Sequence, residues 1–217
     1  MVLQEVTRSV TAEQLVGWFR MFADVIEGRA DELSELDAAI GDADHGTNLR
    51  RGCRAVIEAL DLERPIDVAA FGKVVGMRLV SAVGGASGPL YGSFFLAFGT
   101  AGGAVAELDL AAFAAAWRGG VEAVIKRGKA EPGDKTMLDA LVPSAEALEA
   151  AIAAGADLPT ALNAARDAAE QGKLATIPLV ARKGRASYLG DRSAGHQDPG
   201  ATSSWLLARA AAAALSS

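Results

Sequence analysis

A short acidic segment carries the clearest chemical signal in this sequence. Residues 36–48 read LDAAIGDADHGTN and contain three aspartates, at positions 37, 42 and 44. On one continuous helix, at about 100° per residue, Asp37 and Asp42 would point about 140° apart. Asp42 and Asp44 would also face away from each other. We therefore predict a helix break at Gly41 that lets the three carboxylates converge.

Three converging carboxylates repel one another and favour a bound cation. Because all the ligand atoms are oxygens, Mg²⁺, Mn²⁺ or Ca²⁺ is favoured over zinc. An EF-hand is excluded, since positions six and twelve counted from Asp42 are Thr47 and Cys53 rather than glycine and glutamate. The alternative is a solvated turn whose aspartates only cap helix ends. His45, next to these carboxylates, is expected to have its charged form favoured when no metal is present.

Two glycine-containing segments could complete a site. Gly84 opens the sequence GGASGP, in which small residues at the start of a helix would let backbone amides approach an anion. The chain has no Walker A motif and no G-x-G-x-x-G after a strand, so the alternative is close helix packing through small residues.

The second segment covers residues 181–200, and an irregular stretch of this length in a compact domain is usually a functional loop or a disordered one. In it Arg185 could stack on a base or pair with a carboxylate, while Asp198 could cap the last helix. The alternative is a surface loop without a ligand.

The elements that must position these residues are helices. Thr11 is predicted to be an N-cap with Gln14 as its capping-box partner. Apolar residues that recur with a period of 3.6 predict helices at about residues 12–29, 31–40, 137–154, 159–171 and 201–215. Three further helices are predicted to begin near residue 47, after Pro65 and from residue 109, and apolar residues also run from 93 to 106. The stripe of Trp18, Phe19, Phe22 and Phe113 is predicted to be core, and Cys53 to be buried.

Composition narrows the class of protein. The 217 residues are 51% hydrophobic and only 6% aromatic, with a net charge of −6 that disfavours binding to nucleic acid or anionic membranes. One cysteine excludes an internal disulfide, and no apolar run is long enough to span a membrane. We expect one all-α domain over residues 1–217, an antiparallel bundle of seven to nine helices. We also expect it to be soluble and cytoplasmic.

Four sequence blocks together resemble one family. LDAAIGDADHGTN, GGASGPLYG, GDKTMLDAL and GRASYLGDRSAGHQDPGA, in that order, are similar to the nucleotide-binding L subunit of dihydroxyacetone kinase. The resemblance extends from about Leu15 to Leu215. It implies an up-and-down barrel of about eight antiparallel helices with a nucleotide pocket at one end.

The resemblance also implies roles for individual residues. Asp37, Asp42 and Asp44 would hold two Mg²⁺ ions and, with His45, form the catalytic set. The residues beside the phosphates of ADP or ATP would be His45, Gly46, Thr47, Asn48, Ala86 and Ser87. Those near the adenosine would be Gly128, Met137 and Arg185, with Asp198, Pro199 and Gly200 closing over the nucleotide. Ala43 stands where the family usually has glycine, and alanine tolerates positive φ poorly.

Charge balance is part of the prediction. Three aspartates and a triphosphate bring about −7 and two Mg²⁺ ions return about +4, so helix dipoles, His45, Arg185 or lysines such as Lys135 must supply the rest. The reaction would be phosphoryl transfer by positioning and charge neutralisation.

By resemblance, the chain is a kinase subunit that is incomplete alone. A phosphohistidine carrier subunit would rephosphorylate bound ADP, and a separate subunit would hold the ketose. The alternatives are an ATP-dependent kinase subunit for dihydroxyacetone or another short ketose or polyol, and a nucleotide-bound regulatory partner of a transcription regulator.

Overall fold

The computed structural model describes residues 9–216, which are almost entirely helical. Eight α-helices lie in this part of the chain: α1 (Ala12–Ile40), α2 (His45–Glu63), α3 (Val68–Ala82), α4 (Ser87–Gly102), α5 (Leu110–Gly128), α6 (Leu138–Ala153), α7 (Leu158–Ala175) and α8 (Pro199–Ala214). A 3-10 helix covers Arg185–Ser193, and two short strands, β1 (Ser9–Thr11) and β2 (Glu107–Asp109), form an antiparallel ribbon. The predicted all-α class is confirmed.

Side-chain caps explain where several helices begin. Thr11 caps α1 and exchanges both bonds of a capping box with Gln14, as predicted. Asp109 caps α5, also as predicted, and Asp67 and Asp157 cap α3 and α7 in the same way.

Several predicted boundaries are wrong for local reasons. The two helices predicted at 12–29 and 31–40 are one, because the exposed Gly28 only weakens a helix and does not end it. Pro65 does not open α3, which begins at Val68 behind its Asp67 cap. The segment after Gly84 is mostly the first turns of α4, and α8 begins at Pro199 rather than at residue 201. The β-ribbon was missed because three-residue strands show no alternation.

Neighbouring helices in the sequence are neighbours in space, and α1 packs on α8 to close the ring. Most of the connections between packed helices are short, which makes the helices that they join antiparallel. This up-and-down order brings the start of every even-numbered helix to the same end, together with the ends of α1 and α5. The predicted barrel topology is confirmed.

An aromatic cluster fills the centre of the barrel. Trp18 is fully buried, and the centroid of its ring lies 5.4 Å from the ring centroid of Trp117 and 6.4 Å from that of Phe113. The predicted core positions of Phe19, Phe22, Phe113 and Cys53 are confirmed by their burial. None of the helices in residues 9–216 is long and apolar enough to cross a membrane.

Candidate functional site

Three carboxylates converge where α1 ends and α2 begins. Asp37 lies in the last turn of α1, and Asp42 and Asp44 lie in the connection that follows. One oxygen from each lies within 4.8 Å of the others, close enough for a single cation to bind all three. The predicted break at Gly41 is confirmed, and it brings the three side chains together.

Asp37 adds negative charge to this cluster and also stabilises the start of α2. Its Oδ2 accepts hydrogen bonds from the backbone N–H groups of Asp44 at 2.8 Å and His45 at 3.1 Å. Asp37 therefore caps α2 from the preceding helix, whereas the side chain of Asp44, the N-cap residue, makes no capping bond. The alternative in which these aspartates only cap helix ends does not describe Asp44.

Gly41 and Ala43 shape the turn between these carboxylates. A Cβ on Gly41 would lie 2.0 Å from Oδ1 of Asp37, so a side chain there would push the carboxylate out of place. Ala43 has a φ of +63°, a left-handed conformation that costs a non-glycine residue about 1–2 kcal/mol. The expected strain at Ala43 is confirmed, and the turn forms nevertheless.

His45 is buried between two hydroxyl groups. Its Nδ1 lies 3.0 Å from Oγ of Ser87, and its Nε2 lies 2.9 Å from Oγ of Ser203, which in turn contacts the Tyr91 hydroxyl at 2.7 Å. Burial lowers the pKa of His45, and this effect outweighs the opposing charges of Asp37 and Asp44. The expectation that its charged form is favoured is wrong, because desolvation dominates.

The carboxylates form one side of a pocket of about 440 Å³ at this end of the barrel. The starts of four helices contribute to its wall: His45 of α2, Ser87 of α4, Leu138 of α6 and Pro199 of α8. Helix N-termini carry unpaired N–H groups and a partial positive charge, so each favours an anion. The pocket therefore combines a cation site with an anion site.

The glycine segment before α4 contributes to the same pocket. Gly84, Gly85, Ala86 and Ser87 all line it. Gly85 has a φ of +65°, and a Cβ on Gly84 would lie within 3.0 Å of the Asn48 side chain. The segment thus lines the pocket and packs closely against α2, while its predicted contact with an anion stays a prediction.

Gly46, Thr47 and Asn48 follow the carboxylates on the first turn of α2. A Cβ on Gly46 would lie 1.8 Å from the carbonyl oxygen of Ala30, so this glycine allows α1 and α2 to pack closely. Asn48 is buried and accepts a hydrogen bond from Arg51, and Thr47 is exposed. None of the three lines the pocket in the described part of the chain, and their predicted contact with phosphates stays a prediction.

The rest of the wall is less polar and is formed by other helices. Gly128 at the end of α5 and the buried Met137 before α6 line it, together with Leu90 and Val124. Such a surface suits the flat, weakly polar face of a nucleobase. Gly128 and Met137 thus line the pocket, and their predicted place beside an adenosine stays a prediction.

Arg185 lies in the same pocket, and its guanidinium contacts a carboxylate. Nε of Arg185 is 2.8 Å from Oδ2 of Asp42, although most of the Arg185 side chain is exposed. Of the two roles predicted for this arginine from its chemistry, the structure shows pairing with a carboxylate. The place beside the adenosine that the resemblance implied for Arg185 stays a prediction. The exposed Arg127 and Lys183 also line the pocket and add positive charge there.

Asp198 is the buried N-cap residue of α8, and the buried Pro199 and the partly buried Gly200 are the first residues of that helix. Oδ2 of Asp198 accepts a hydrogen bond from the backbone N–H of Ala201 at 2.6 Å, which confirms the predicted cap. Burial raises the pKa of Asp198 to about 7, while the Ala201 bond opposes the rise. All three residues line the pocket, and their predicted closure over a nucleotide stays a prediction.

Lys135 does not serve as the nearby phosphate cation that charge balance suggested. Its ammonium is buried and donates to backbone carbonyls, including those of Ser193 at 2.7 Å and His196 at 2.6 Å. Two residues of the His45 network were not predicted: Ser203, which contacts His45, and Tyr91, which contacts Ser203. The only signal for Ser203 was a run of three polar residues, Thr202 to Ser204, on the apolar α8, and Tyr91 lay within the block that follows Gly84.

Comparison with known proteins agrees with this geometry. The family model for the DAK2 domain matches residues 39–213. The chain is 47% identical to the ADP-binding subunit DhaL of the PEP-dependent dihydroxyacetone kinase of Escherichia coli, over 90% of this chain and 93% of that one. It is 42% identical to the ADP-binding subunit DhaL of the PTS-dependent dihydroxyacetone kinase of Lactococcus lactis, over 91% of this chain and 95% of that one.

A solved structure shares the fold. The dihydroxyacetone kinase of C. freundii, crystallised in complex with AMP-PNP and Mg²⁺, superposes with a TM-score of 0.70 at 27% identity. The match covers 98% of this chain and 36% of that one, so this chain spans about a third of the solved kinase. The remaining two thirds of that kinase have no counterpart in these 217 residues.

Proposed function

Because this chain belongs to the DAK2 domain family, we propose that it is the ADP- and Mg²⁺-binding subunit of a dihydroxyacetone kinase. Its relatives in E. coli and L. lactis carry that role in their names, and each match covers nine tenths or more of both chains. We further propose that residues 1–217 form one domain and that the subunit works in the cytoplasm, where ADP and reduced thiols such as Cys53 are typical.

The residues present fit the cation and the nucleotide. Asp37, Asp42 and Asp44 are oxygen donors of the kind that Mg²⁺ prefers, and their oxygens converge within 4.8 Å. We propose that they hold two Mg²⁺ ions, because one triphosphate adds more negative charge than one ion offsets. When bound, Mg²⁺ would neutralise and orient the phosphate oxygens during phosphoryl transfer.

The chain's own groups then supply charge and orientation. The starts of α2, α4, α6 and α8 line the pocket, and the positive ends of their helix dipoles would offset negative charge that the cations leave. His45 holds the Ser87 hydroxyl at 3.0 Å, which positions it at the start of α4. Arg185 adds a guanidinium at the carboxylate end, and the apolar wall near Met137 excludes water from the nucleoside side.

One observation carries this proposal: three carboxylates and four helix N-termini meet in one pocket of about 440 Å³. Either group alone is common in proteins. Together they create adjacent sites for a divalent cation and for a polyphosphate, which matches Mg²⁺-nucleotide and few other small ligands. The volume lies within the range of small-molecule sites.

Catalysis requires other subunits. The relatives in E. coli and L. lactis are ADP-binding subunits of PEP- or PTS-dependent kinases, and this chain spans only 36% of the C. freundii kinase. We propose that a separate subunit presents the ketose and that a phosphohistidine carrier returns a phosphoryl group to bound ADP. The chain alone, given dihydroxyacetone and ATP, is expected to give no product, and turnover without a partner would contradict this proposal.

Native mass spectrometry of the purified chain, before and after a magnesium chelator, tests the binding proposal. We expect ADP with two Mg²⁺ ions that is retained through purification and lost on chelation. One retained ion would correct the metal count. An empty protein that takes up ATP reversibly would favour direct use of ATP over a carrier. No uptake of ADP or ATP with Mg²⁺ would contradict the proposal.

Reconstitution tests the reaction itself. The chain is mixed with the ketose-binding subunit of a PEP-dependent kinase and its carrier, and phosphorylated ketose is measured. We expect product with phosphoenolpyruvate as the donor. A chain that serves only as the regulatory partner of a transcription regulator would bind nucleotide and give no phosphorylated ketose.

A further inference from the structure

Lys135 is buried, charged and surrounded by carbonyl oxygens. Its side chain is 1% exposed, and Nζ lies 2.6–3.0 Å from the backbone oxygens of Thr176, Leu179, Ser193 and His196. An ammonium has three N–H donors and no acceptor, so these carbonyl oxygens use all of its donors and leave none for another partner. Burial lowers the pKa of Lys135, and the charges of Asp198 and Asp139 oppose that change.

The four carbonyls lie on both sides of the base of one loop. We call residues 176–198 the Arg185 loop, since Arg185 lies near its middle. Its two ends meet where Gly195 donates to Ile177 at 2.8 Å and where the N–H of Asp198 donates to Oγ1 of Thr176 at 3.0 Å. The loop therefore has a closed base, and the Lys135 ammonium bonds to carbonyls on both sides of that base.

Lys135 is itself held rigidly. It has a left-handed φ of +62°, in a turn whose N–H groups at Gly133 and Thr136 donate to the Asp139 carboxylate at 2.6 and 2.7 Å. Backbone strain of this kind persists only where the surroundings enforce it. The turn leads directly into Met137, so one short segment contacts both the nucleoside side of the pocket and the Arg185 loop.

The loop supplies one wall of the pocket. Lys183, Gly184, Arg185 and Ala186 line it, and Arg185 pairs with Asp42 there. Outside its 3-10 helix the loop has little regular hydrogen bonding. The position of Arg185 therefore depends on how firmly the base of the loop is closed, together with the packing of Ala181, Ala186 and Leu189 against Ile40 of α1.

We propose that Lys135 is a positioning residue that clamps the base of the Arg185 loop and thereby sets how long a nucleotide stays bound. The inference rests on the proposed function and deepens it. Lys135 acts through Arg185 and the loop wall. It does not donate to the phosphates, because its N–H groups are already bonded to carbonyls.

Lys135→Met tests the clamp, because methionine retains much of the side-chain volume and removes the ammonium. Lys126→Met, in the exposed last turn of α5, is the matched control for charge. The first measurement is hydrogen exchange of the nucleotide-free protein. We expect at least tenfold faster exchange of amides in residues 177–197 for Lys135→Met, with α1 to α5 unchanged and the control like wild type. Wild-type protection of the loop would overturn the clamp.

A double-mutant cycle tests the route of action. Dissociation of a fluorescent ADP analogue with Mg²⁺ is measured for Lys135→Met, Arg185→Met and the double variant. We expect each single variant to release the analogue at least tenfold faster, and the double variant to be within twofold of the faster single one. If the dissociation rate of the double variant is increased by the product of the two single increases, the proposal is overturned, since Lys135 would then act independently of Arg185.

Two outcomes separate this inference from the proposed function. Absence of Mg²⁺-dependent nucleotide binding by wild type refutes the proposed function, whereas the exchange measurement still decides the clamp.

Lys135→Gln, which keeps two N–H donors, replaces Lys135→Met if the latter does not fold. Unfolding of both variants, seen by circular dichroism, would overturn the proposal, because Lys135 would then support the whole fold.

Discussion

At the scale of single residues, Asp37 shows how one side chain joins folding to function. Its Oδ2 accepts hydrogen bonds from the backbone N–H groups of Asp44 and His45 at the start of α2. The same carboxylate is the buried member of the three-carboxylate cluster, while Asp42 and Asp44 are more exposed. The cap thus orients the buried carboxylate, and the two exposed carboxylates would complete the proposed cation site.

Asp42→Ala is expected to abolish Mg²⁺-dependent retention of ADP, because the cation site loses one of three ligands and Arg185 loses its partner. The measurement is the amount of ADP that remains bound to the protein after gel filtration in the presence of Mg²⁺. Asp31→Ala is the matched control, since its side chain is 94% exposed and lies outside the pocket. Retention equal to that of wild type would remove Asp42 from the site.

Gly41→Ala is expected to weaken Mg²⁺ binding at least tenfold, because the new Cβ would overlap Oδ1 of Asp37. We expect a loss of only about 1 kcal/mol in the free energy of unfolding, the value of a lost hydrogen bond. Isothermal titration with Mg²⁺ and ADP measures the first effect, and urea unfolding the second.

Gly28→Ala is the control for this substitution. No atom lies within 4 Å of its Cβ, and alanine is the better helix former by about 0.5–1 kcal/mol, so we expect a small gain in stability. Unchanged Mg²⁺ binding in Gly41→Ala would mean that the Asp37 carboxylate can move without a loss of affinity for Mg²⁺.

At the scale of elements, small residues determine how closely helices approach. A Cβ on Gly72 of α3 would lie 2.5 Å from both the Cα of Gly99 and the carbonyl oxygen of Phe95 on α4. Gly76 and Gly92 make a similar contact further along the same pair of helices. These glycines serve the packing of the α3–α4 pair, and close packing brings the start of α4, with Ser87, against His45.

Gly72→Ala is expected to lower the free energy of unfolding by about 1–3 kcal/mol, the cost of an overpacked contact. Urea unfolding followed by circular dichroism measures it. Gly17→Ala in α1 is the control, since its Cβ meets no atom within 4 Å. Equal stability of the two variants would show that α3 and α4 can separate at little cost.

At the scale of the whole molecule, closure of the helix ring creates the pocket. Alternating helix directions bring four N-termini and the carboxylates to one end, so the charges that attract a nucleotide come from distant parts of the sequence. The same closure buries Asp198 at the start of α8 and raises its pKa to about 7.

We expect nucleotide-free protein to become less stable between about pH 4 and pH 7 because of Asp198. In that window the unfolded carboxyl has lost its proton while the folded one retains it, so the free energy of unfolding falls as pH rises, by at most about 1.4 kcal/mol per pH unit. Urea unfolding at several pH values measures it. Asp198→Asn keeps a capping acceptor and should show a flatter profile; an identical profile would contradict this assignment.

Local sequence was sufficient for much of the fold and for part of the site. Helix periodicity, the Thr11 cap and the apolar stripe around Trp18 predicted an all-α bundle, because these signals depend on neighbours within a few residues. Gly41 predicted the break that brings three carboxylates together. The continuous α1 and the β-ribbon were missed because a glycine inside a helix is ambiguous and a three-residue strand carries almost no pattern.

Tertiary structure alone decided the state of individual side chains. His45 is buried in contact with Ser87 and Ser203, two residues remote in sequence, and this burial reverses the direction of the pKa shift that its neighbours in sequence suggested. Lys135 faces carbonyls up to 61 positions away rather than a phosphate. The physical reason is common to both: the energy of a charged group depends on its solvation and on all nearby dipoles, and the closed barrel determines which groups those are.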